Sequence, residues 1–225
     1  IAETQTAGRG RLGRQWISPP GTGIWMSVVL RPSLPPQDVQ IITLAASVAV
    51  VAAIERVTGI RTGIKWPNDI VLDGKKVCGI LTEMSSEIDS INYLVLGIGI
   101  NVNQNDEDFP AEITNNAVSL KLYSTGRGIK PDGFRRSELV RELLFELERM
   151  YDYINRGETA LILEEWKKYA VTLGKEVRIN SREGGITGTA VGVTADGRLQ
   201  VRCSDGTLHE VVSGEVSVRG MLGYV

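Results

Sequence analysis

Four segments of the chain gather residues able to handle anions. The first is Gly8-Arg9-Gly10-Arg11-Leu12-Gly13-Arg14, three guanidinium groups interleaved with three glycines. Arginine presents paired N–H donors to a carboxylate or phosphate, and glycine leaves backbone N–H groups open to the same anions. The segment also spells G-x-G-x-x-G, the dinucleotide fingerprint, but that reading fails on context. A fingerprint requires a helix opening at its glycines, and Ser18-Pro19-Pro20-Gly21 follows too soon for one. What remains is either a solvated basic loop or a polyanion-binding segment that orders on contact. Trp16, just beyond, serves equally as core or as a lid stacking on a flat ligand.

The second segment is Lys65-Trp66-Pro67-Asn68-Asp69. Pro67 holds Trp66 extended and fixes the direction in which the chain leaves. Asn68 and Asp69 offer the amide and carboxylate oxygens that a Mg²⁺-nucleotide site uses, although such a pair also makes an ordinary turn. The third segment runs from Lys75 to Glu83. Strand alternation there sends the two lysines to opposite faces, one toward a pocket and one toward water, and Gly79 permits close approach of a ligand or another backbone. The fourth is Gly97-Ile98-Gly99-Ile100-Asn101-Val102-Asn103, an apolar strand with a slot at its glycines. Asn101 either binds a ligand or caps a turn.

The scarce residues narrow the chemistry. One histidine, His209, and two separated cysteines, Cys78 and Cys203, supply neither a catalytic triad nor a zinc site. His209 reads as a surface residue and Cys78 as a small core residue, and the two thiols are expected to be reduced. Any catalysis rests on Lys, Arg, Asp, Asn and backbone N–H groups, which favours phosphate or carboxylate chemistry. Lys+Arg 25 against Asp+Glu 27 gives a net charge of −2 and a pI near 5.6, which counts against a protein built mainly to hold nucleic acid or an anionic membrane. Ile1-Ala2-Glu3-Thr4 has neither the basic nor the apolar region of a secretory leader. The apolar stretch Ile41 to Ile54 is shorter than the roughly 20 residues of a membrane span. A cytoplasmic protein is expected.

The elements that must position these residues follow from pattern. Residues 24–30 read as a buried strand, and 38–58 as a central helix apolar nearly all round, ended by Gly59. Ile70 to Leu72, Asp73-Gly74 and Lys75 to Glu83 form a hairpin signal, and 91–100 another strand. An amphipathic helix is expected from about Phe134 to Asn155 and a shorter one from Glu158 to Ala170. After Leu173-Gly174 the pattern becomes short and alternating: Glu176–Asn180, Gly185–Val193, Leu199–Cys203 and Leu208–Val212. Turn signals at Glu183-Gly184-Gly185, Asp196-Gly197 and Asp205-Gly206 separate these strands, as in a small β-barrel. The fold class is therefore α+β, a mixed, mostly antiparallel sheet backed by helices, with domains at 1–172 and 173–225.

In this order and spacing, G-R-G-R-x-G-R, K-W-P-N-D, K-V-C-G-I-L and G-I-G-I-N-V-N together resemble the biotin–protein ligase family, also called biotin–[acetyl-CoA-carboxylase] ligase. The resemblance covers Ala2 to about Tyr169, and the remainder is similar to the family's C-terminal barrel of the Src-homology-3 type. It implies a catalytic domain like that of class II aminoacyl-tRNA synthetases. It also implies a reaction: biotin and ATP give biotinyl-5′-AMP and pyrophosphate, and biotin then passes to one lysine of a biotin carboxyl carrier protein or domain of acetyl-CoA carboxylase.

The resemblance assigns Gln5, Arg9, Gly10 and Arg11 to the biotin-binding loop. It places Lys76 at the biotin carboxylate and α-phosphate, with Arg9 and Asp69 as catalytic companions. Trp16 covers the adenylate, and Gly79 and Asn101 contact it. Arg11, Asn68, Asp69 and Asn101 serve the ATP/Mg²⁺ end, with no metal held permanently. A homodimer is allowed, and no membrane or nucleic acid is engaged by this chain. The family also has a Ser-Thr-Asn segment before the arginine loop, and some members a helix-turn-helix. Neither is found here, so the catalytic domain is expected to lack an N-terminal portion. The readings that compete with it are a lipoate–protein ligase-like enzyme, a biotin-sensing co-repressor fragment and a plain anion-binding module.

Overall fold

Burial of one helix organises the larger part of the molecule. The computed structural model describes residues 1–129, 132–181, 184–212 and 217–220. At its centre is α1 (Gln40–Thr58), in which Ile41, Ile42, Leu44, Val48, Val50, Val51 and Ile54 are all fully buried. Alanines 45, 46, 49 and 53 let neighbouring elements approach on the remaining sides. Each large aliphatic side chain buried in this way contributes about 1.5–3 kcal/mol. The helix begins two residues later than expected because Pro36–Asp38 forms a 3-10 turn first, and it ends as expected at Gly59, whose φ is 70°.

One expectation needs correction. Pro36–Thr58 is 23 residues long, so its length does suffice for a bilayer. What decides its setting is that 72% of its apolar window is buried inside the protein.

Against α1 lies a five-stranded sheet of β1 (Gly23–Leu30), β2 (Gly63–Lys65), β3 (Asp69–Leu72), β4 (Lys75–Ser86) and β5 (Ile91–Asn101), in the order β1-β5-β4-β3-β2. The sequence suggests a mixed, mostly antiparallel sheet. Among the described residues every paired strand is instead antiparallel, and only isolated parallel bridges join Ile64 to Ala170 and Lys76 to Ala117. The Asp73-Gly74 turn has positive φ at both residues, 47° and 81°, as a tight primed hairpin requires.

Three further helices follow: α2 (Leu120–Thr125), α3 (Arg136–Asn155) and α4 (Thr159–Tyr169). α3 buries Leu139, Leu143, Met150 and Ile154 at helical spacing, with Glu146 among them. That carboxylate is matched by Arg56 of α1 at 3.3 Å and Arg149 at 2.7 Å.

The chain ends in a second antiparallel sheet of β6 (Glu176–Ser181), β7 (Gly184–Val193), β8 (Leu199–Arg202), β9 (Leu208–Val211) and β10 (Ser217–Gly220), ordered β10-β6-β7-β8-β9. Four of these strands match the expected segments and β10 is additional. Glu183 of the first expected turn lies outside the described residues. The second turn reaches back to the first sheet. The carbonyl of its Gly197 accepts a hydrogen bond from the buried Trp66 indole at 3.0 Å, while Thr172 Oγ1 accepts one from the Trp66 backbone N–H at 3.0 Å. Trp66→Phe should therefore cost about 1–3 kcal/mol, because a buried carbonyl loses its donor. Urea unfolding measures this, and an unchanged midpoint would contradict it.

Candidate functional site

The face of the first sheet turned away from α1 carries the site. Antiparallel register aligns Trp25, Gly99, Gly79 and Asp69 in one row across β1, β5, β4 and β3. The two central glycines make a flat floor, and the Trp16 ring lies on it. A Cβ at Gly99 would fall 2.5 Å from Trp16 Cε2, and one at Gly79 would fall 2.8 Å from Trp16 Cζ3. Trp25 meets Trp16 edge-on, with ring centroids 6.2 Å apart.

Lys76 reaches this face through a bulge. Ile70 pairs with Cys78 while Val71 pairs with Lys76, so Val77 is an extra residue in β4. Val77 and Cys78 are both buried in the core, and the residues on either side of them change phase. Without the bulge, Ile80 and Cys78 facing the core would draw Lys76 inward too. With it, Lys76 Nζ pairs with Asp69 Oδ1 at 2.6 Å and sits 5.4 Å from the centre of the Trp16 ring. Lys75 is exposed, its Nζ 3.4 Å from the Thr114 carbonyl. Cys78 is inert here: burial pushes its thiol pKa up, and it forms no disulfide.

The arginine segment closes over the floor as a short hairpin. Gly10 N–H bonds the Arg14 carbonyl, Trp16 N–H bonds the Gly8 carbonyl, and Arg9 bridges to Gln15. Arg11 Nη1 donates to Asn68 Oδ1 at 2.7 Å, and Asn68 Nδ2 donates to the Ile80 carbonyl at 2.8 Å. Arg9 is exposed and faces Glu83 at 3.5 Å, an ion pair worth little by itself. Gln5 accepts from the Ser18 hydroxyl at 2.9 Å.

These contacts divide the face into two cavities with Trp16 between them. The smaller, about 390 Å³, lies over Gly79, Gly97 and Gly99 and is edged by Gln5, Arg9 and Leu81. The larger, about 500 Å³, is lined by Lys65, Asn101, Gln104, Phe109 and Ile113 among others. Gly10, Arg11, Trp16, Asn68 and Lys76 border both. The larger cavity counts Arg11, Arg14, Lys65 and Lys76 against Asp69 and Asp108, an excess of positive charge suited to a polyanion.

This arrangement has counterparts. Residues 1–101 match the model of the biotin/lipoate A/B protein ligase family, and residues 172–219 match the biotin protein ligase C-terminal domain. The biotin–[acetyl-CoA-carboxylase] ligase of Mycobacterium tuberculosis is 35% identical over 205 residues, covering 88% of this chain and 71% of that protein. The chain belongs to the biotin protein ligase family.

Another ligase relative, the bifunctional ligase/repressor BirA of Bacillus subtilis, is 42% identical over 97% of this chain; the chain spans 65% of that protein's length. Among solved structures, the Aquifex aeolicus biotin protein ligase in complex with biotin and ATP superimposes with a TM-score of 0.81 at 32% identity, covering 97% of this chain and 87% of that one.

Every residue that the family resemblance assigned to the site lines one or both cavities of this ligase fold. Asn101 lies in the larger one, but both ends of its amide are already engaged within the protein. Sequence reasoning left Lys65 without a role although it quoted the segment containing it. It also passed over Gln104, Phe109 and Ile113. Those three sit in a stretch with no periodicity, held by caps such as the reciprocal bonds between Asn105 and Asp108, and the polar cluster Asn101-Asn103-Gln104-Asn105 was its one visible signal.

Proposed function

We propose that this chain activates biotin with ATP and transfers it to a lysine of a biotin carboxyl carrier protein or domain. The observation that carries the reading is the meeting of two unlike cavities at one cationic junction. A flat, glycine-floored slot suits the fused rings of biotin, and the larger, positively charged cavity suits ATP. In the first step a biotin carboxylate oxygen attacks the α-phosphorus and the bond to pyrophosphate breaks. Two anions are thereby forced together, and Lys76, Arg9 and Arg11 offset their repulsion and stabilise the charge that develops.

Lys76 must exchange Asp69 for the incoming carboxylate, which frees Asp69 for the Mg²⁺ that accompanies ATP or for the ammonium of the carrier lysine. Asn68, held at both ends of its amide, keeps Arg11 aimed at the junction. Gln5 and Gly10 serve the biotin side, Gly79 the floor and Asn101 the adenylate side, with Trp16 packed between. In the second step the carrier lysine attacks the acyl carbon and AMP leaves. No nucleic acid takes part.

Around this centre we place a catalytic domain at 1–172, of the class II aminoacyl-tRNA synthetase type, and a small barrel of the Src-homology-3 type at 173–225. Two free thiols accord with work in the cytoplasm, and a homodimer is compatible with the reading. The test is pyrophosphate release from ATP. Release should require biotin and be negligible with lipoate. Release with lipoate but not biotin, or none with either, would overturn the proposal.

A further inference from the structure

A chain of three amides in the wall of the larger cavity has a fixed polarity. It starts at the Val118 carbonyl, which can only accept. Asn101 Nδ2 donates to it at 3.3 Å, so the Asn101 amide is held with its oxygen pointing the other way. Gln104 Nε2 donates to that oxygen at 3.0 Å. The Gln104 amide is thereby oriented in turn, and its Oε1 is left as a buried acceptor with no partner. The rest of the residue is occupied: Gln104 is 1% exposed, and its main-chain carbonyl accepts from the Ser119 hydroxyl at 2.6 Å. A buried acceptor without a donor is unfavourable, and a ligand that brings a donor relieves it.

We propose that Gln104 is a specificity-determining residue for the nucleotide base, its Oε1 accepting a hydrogen bond from the exocyclic amine of adenine. This rests on the reading of the larger cavity as the ATP site. Phosphate oxygens are acceptors and gain nothing from another acceptor. Phe109 and Ile113 offer apolar surface in the same cavity, which suits the faces of a purine. Guanine and hypoxanthine carry an oxygen where adenine carries the amine. Against Gln104 Oε1 they set acceptor against acceptor, the kind of mismatch that discriminates strongly.

The experiment compares ATP, purine riboside 5′-triphosphate (which lacks the amine), inosine triphosphate and 2′-deoxy-ATP. Each is measured for binding to the protein and for biotin-dependent pyrophosphate release. Wild type should prefer ATP over purine riboside triphosphate about tenfold and over inosine triphosphate by more. In Gln104→Met and Gln104→Leu, ATP should fall to the level of purine riboside triphosphate, which itself stays unchanged, and biotin affinity should hold. Equal use of ATP and purine riboside triphosphate by wild type would overturn the assignment. So would variants that keep the full preference for ATP, or that lose discrimination against 2′-deoxy-ATP instead, which would place a ribose hydroxyl at Gln104. Absence of any nucleotide binding would refute the ATP reading itself, whereas ATP-driven release without base discrimination refutes this assignment alone.

Discussion

Lys76→Ala should slow biotin-dependent pyrophosphate release by about 10²–10³, while Lys75→Ala stays within about fivefold of wild type. The two residues are adjacent and chemically identical, so each controls for the other's effect on net charge. Their difference lies in placement. Lys76 lies where the two cavities meet, with Asp69 at 2.6 Å and the Trp16 ring beneath its ammonium. A donor aimed at developing charge in such a site typically contributes about 2.7–4 kcal/mol to lowering the barrier. The Lys75 ammonium is exposed and lies 3.4 Å from the Thr114 carbonyl, and contacts of that kind contribute about 0–1 kcal/mol. Single-turnover kinetics at saturating biotin and ATP measures the chemical step directly. Equal losses in the two variants, or a larger loss in Lys75→Ala, would place the reacting carboxylate elsewhere.

The same pair shows where sequence reading reaches its limit. Alternation correctly separates Lys75 from Lys76, but counting back from Ile80 and Cys78 in the core assigns the open face to Lys75. The bulge at Val77 reverses that assignment, and nothing in the sequence Lys-Val-Cys-Gly marks it. Its cause is tertiary: Lys76 N–H bonds the Asn116 carbonyl at 2.7 Å, and the Lys76 carbonyl accepts from Val118 N–H at 3.0 Å, so a distant segment draws the strand out of phase. The family pattern named Lys76 where periodicity alone could not.

Elements that carry their own signal were legible. α1 is apolar on every side and closes at Gly59, and the β3–β4 hairpin is written in Asp73-Gly74. Residues 102–119 carry no period, because their structure depends on side-chain caps and on bonds to β4. Gln104 went unread for that reason, since an unpaired acceptor exists only once Asn101 and Val118 are placed beside it.

Gly99→Ala should weaken biotin binding by about 5- to 150-fold, corresponding to about 1–3 kcal/mol of overpacking. The added methyl would lie 2.5 Å from Trp16 Cε2 and 2.6 Å from its Nε1, closer than real side chains approach. Trp16 cannot yield sideways, because Trp25 stands edge-on beside it and its own backbone is bonded to Gly8. It must lift, and the partition between the two cavities lifts with it. Gly97→Ala is the matched control. A methyl there meets the Leu81 carbonyl at 3.5 Å and the Leu81 Cβ at 3.8 Å, both ordinary contacts, so Trp16 should stay seated. Tryptophan emission separates the two variants: Gly99→Ala should shift to longer wavelength and become more open to acrylamide quenching, and Gly97→Ala should not. Wild-type biotin affinity and unchanged emission in a folded Gly99→Ala protein would show that the ring does not partition the site. The magnitude also bears on why glycine stands at both Gly79 and Gly99. A floor one methyl higher on either strand would leave no depth for an indole above the sheet, and the carboxylate and the nucleotide would then meet in one undivided, water-filled cleft.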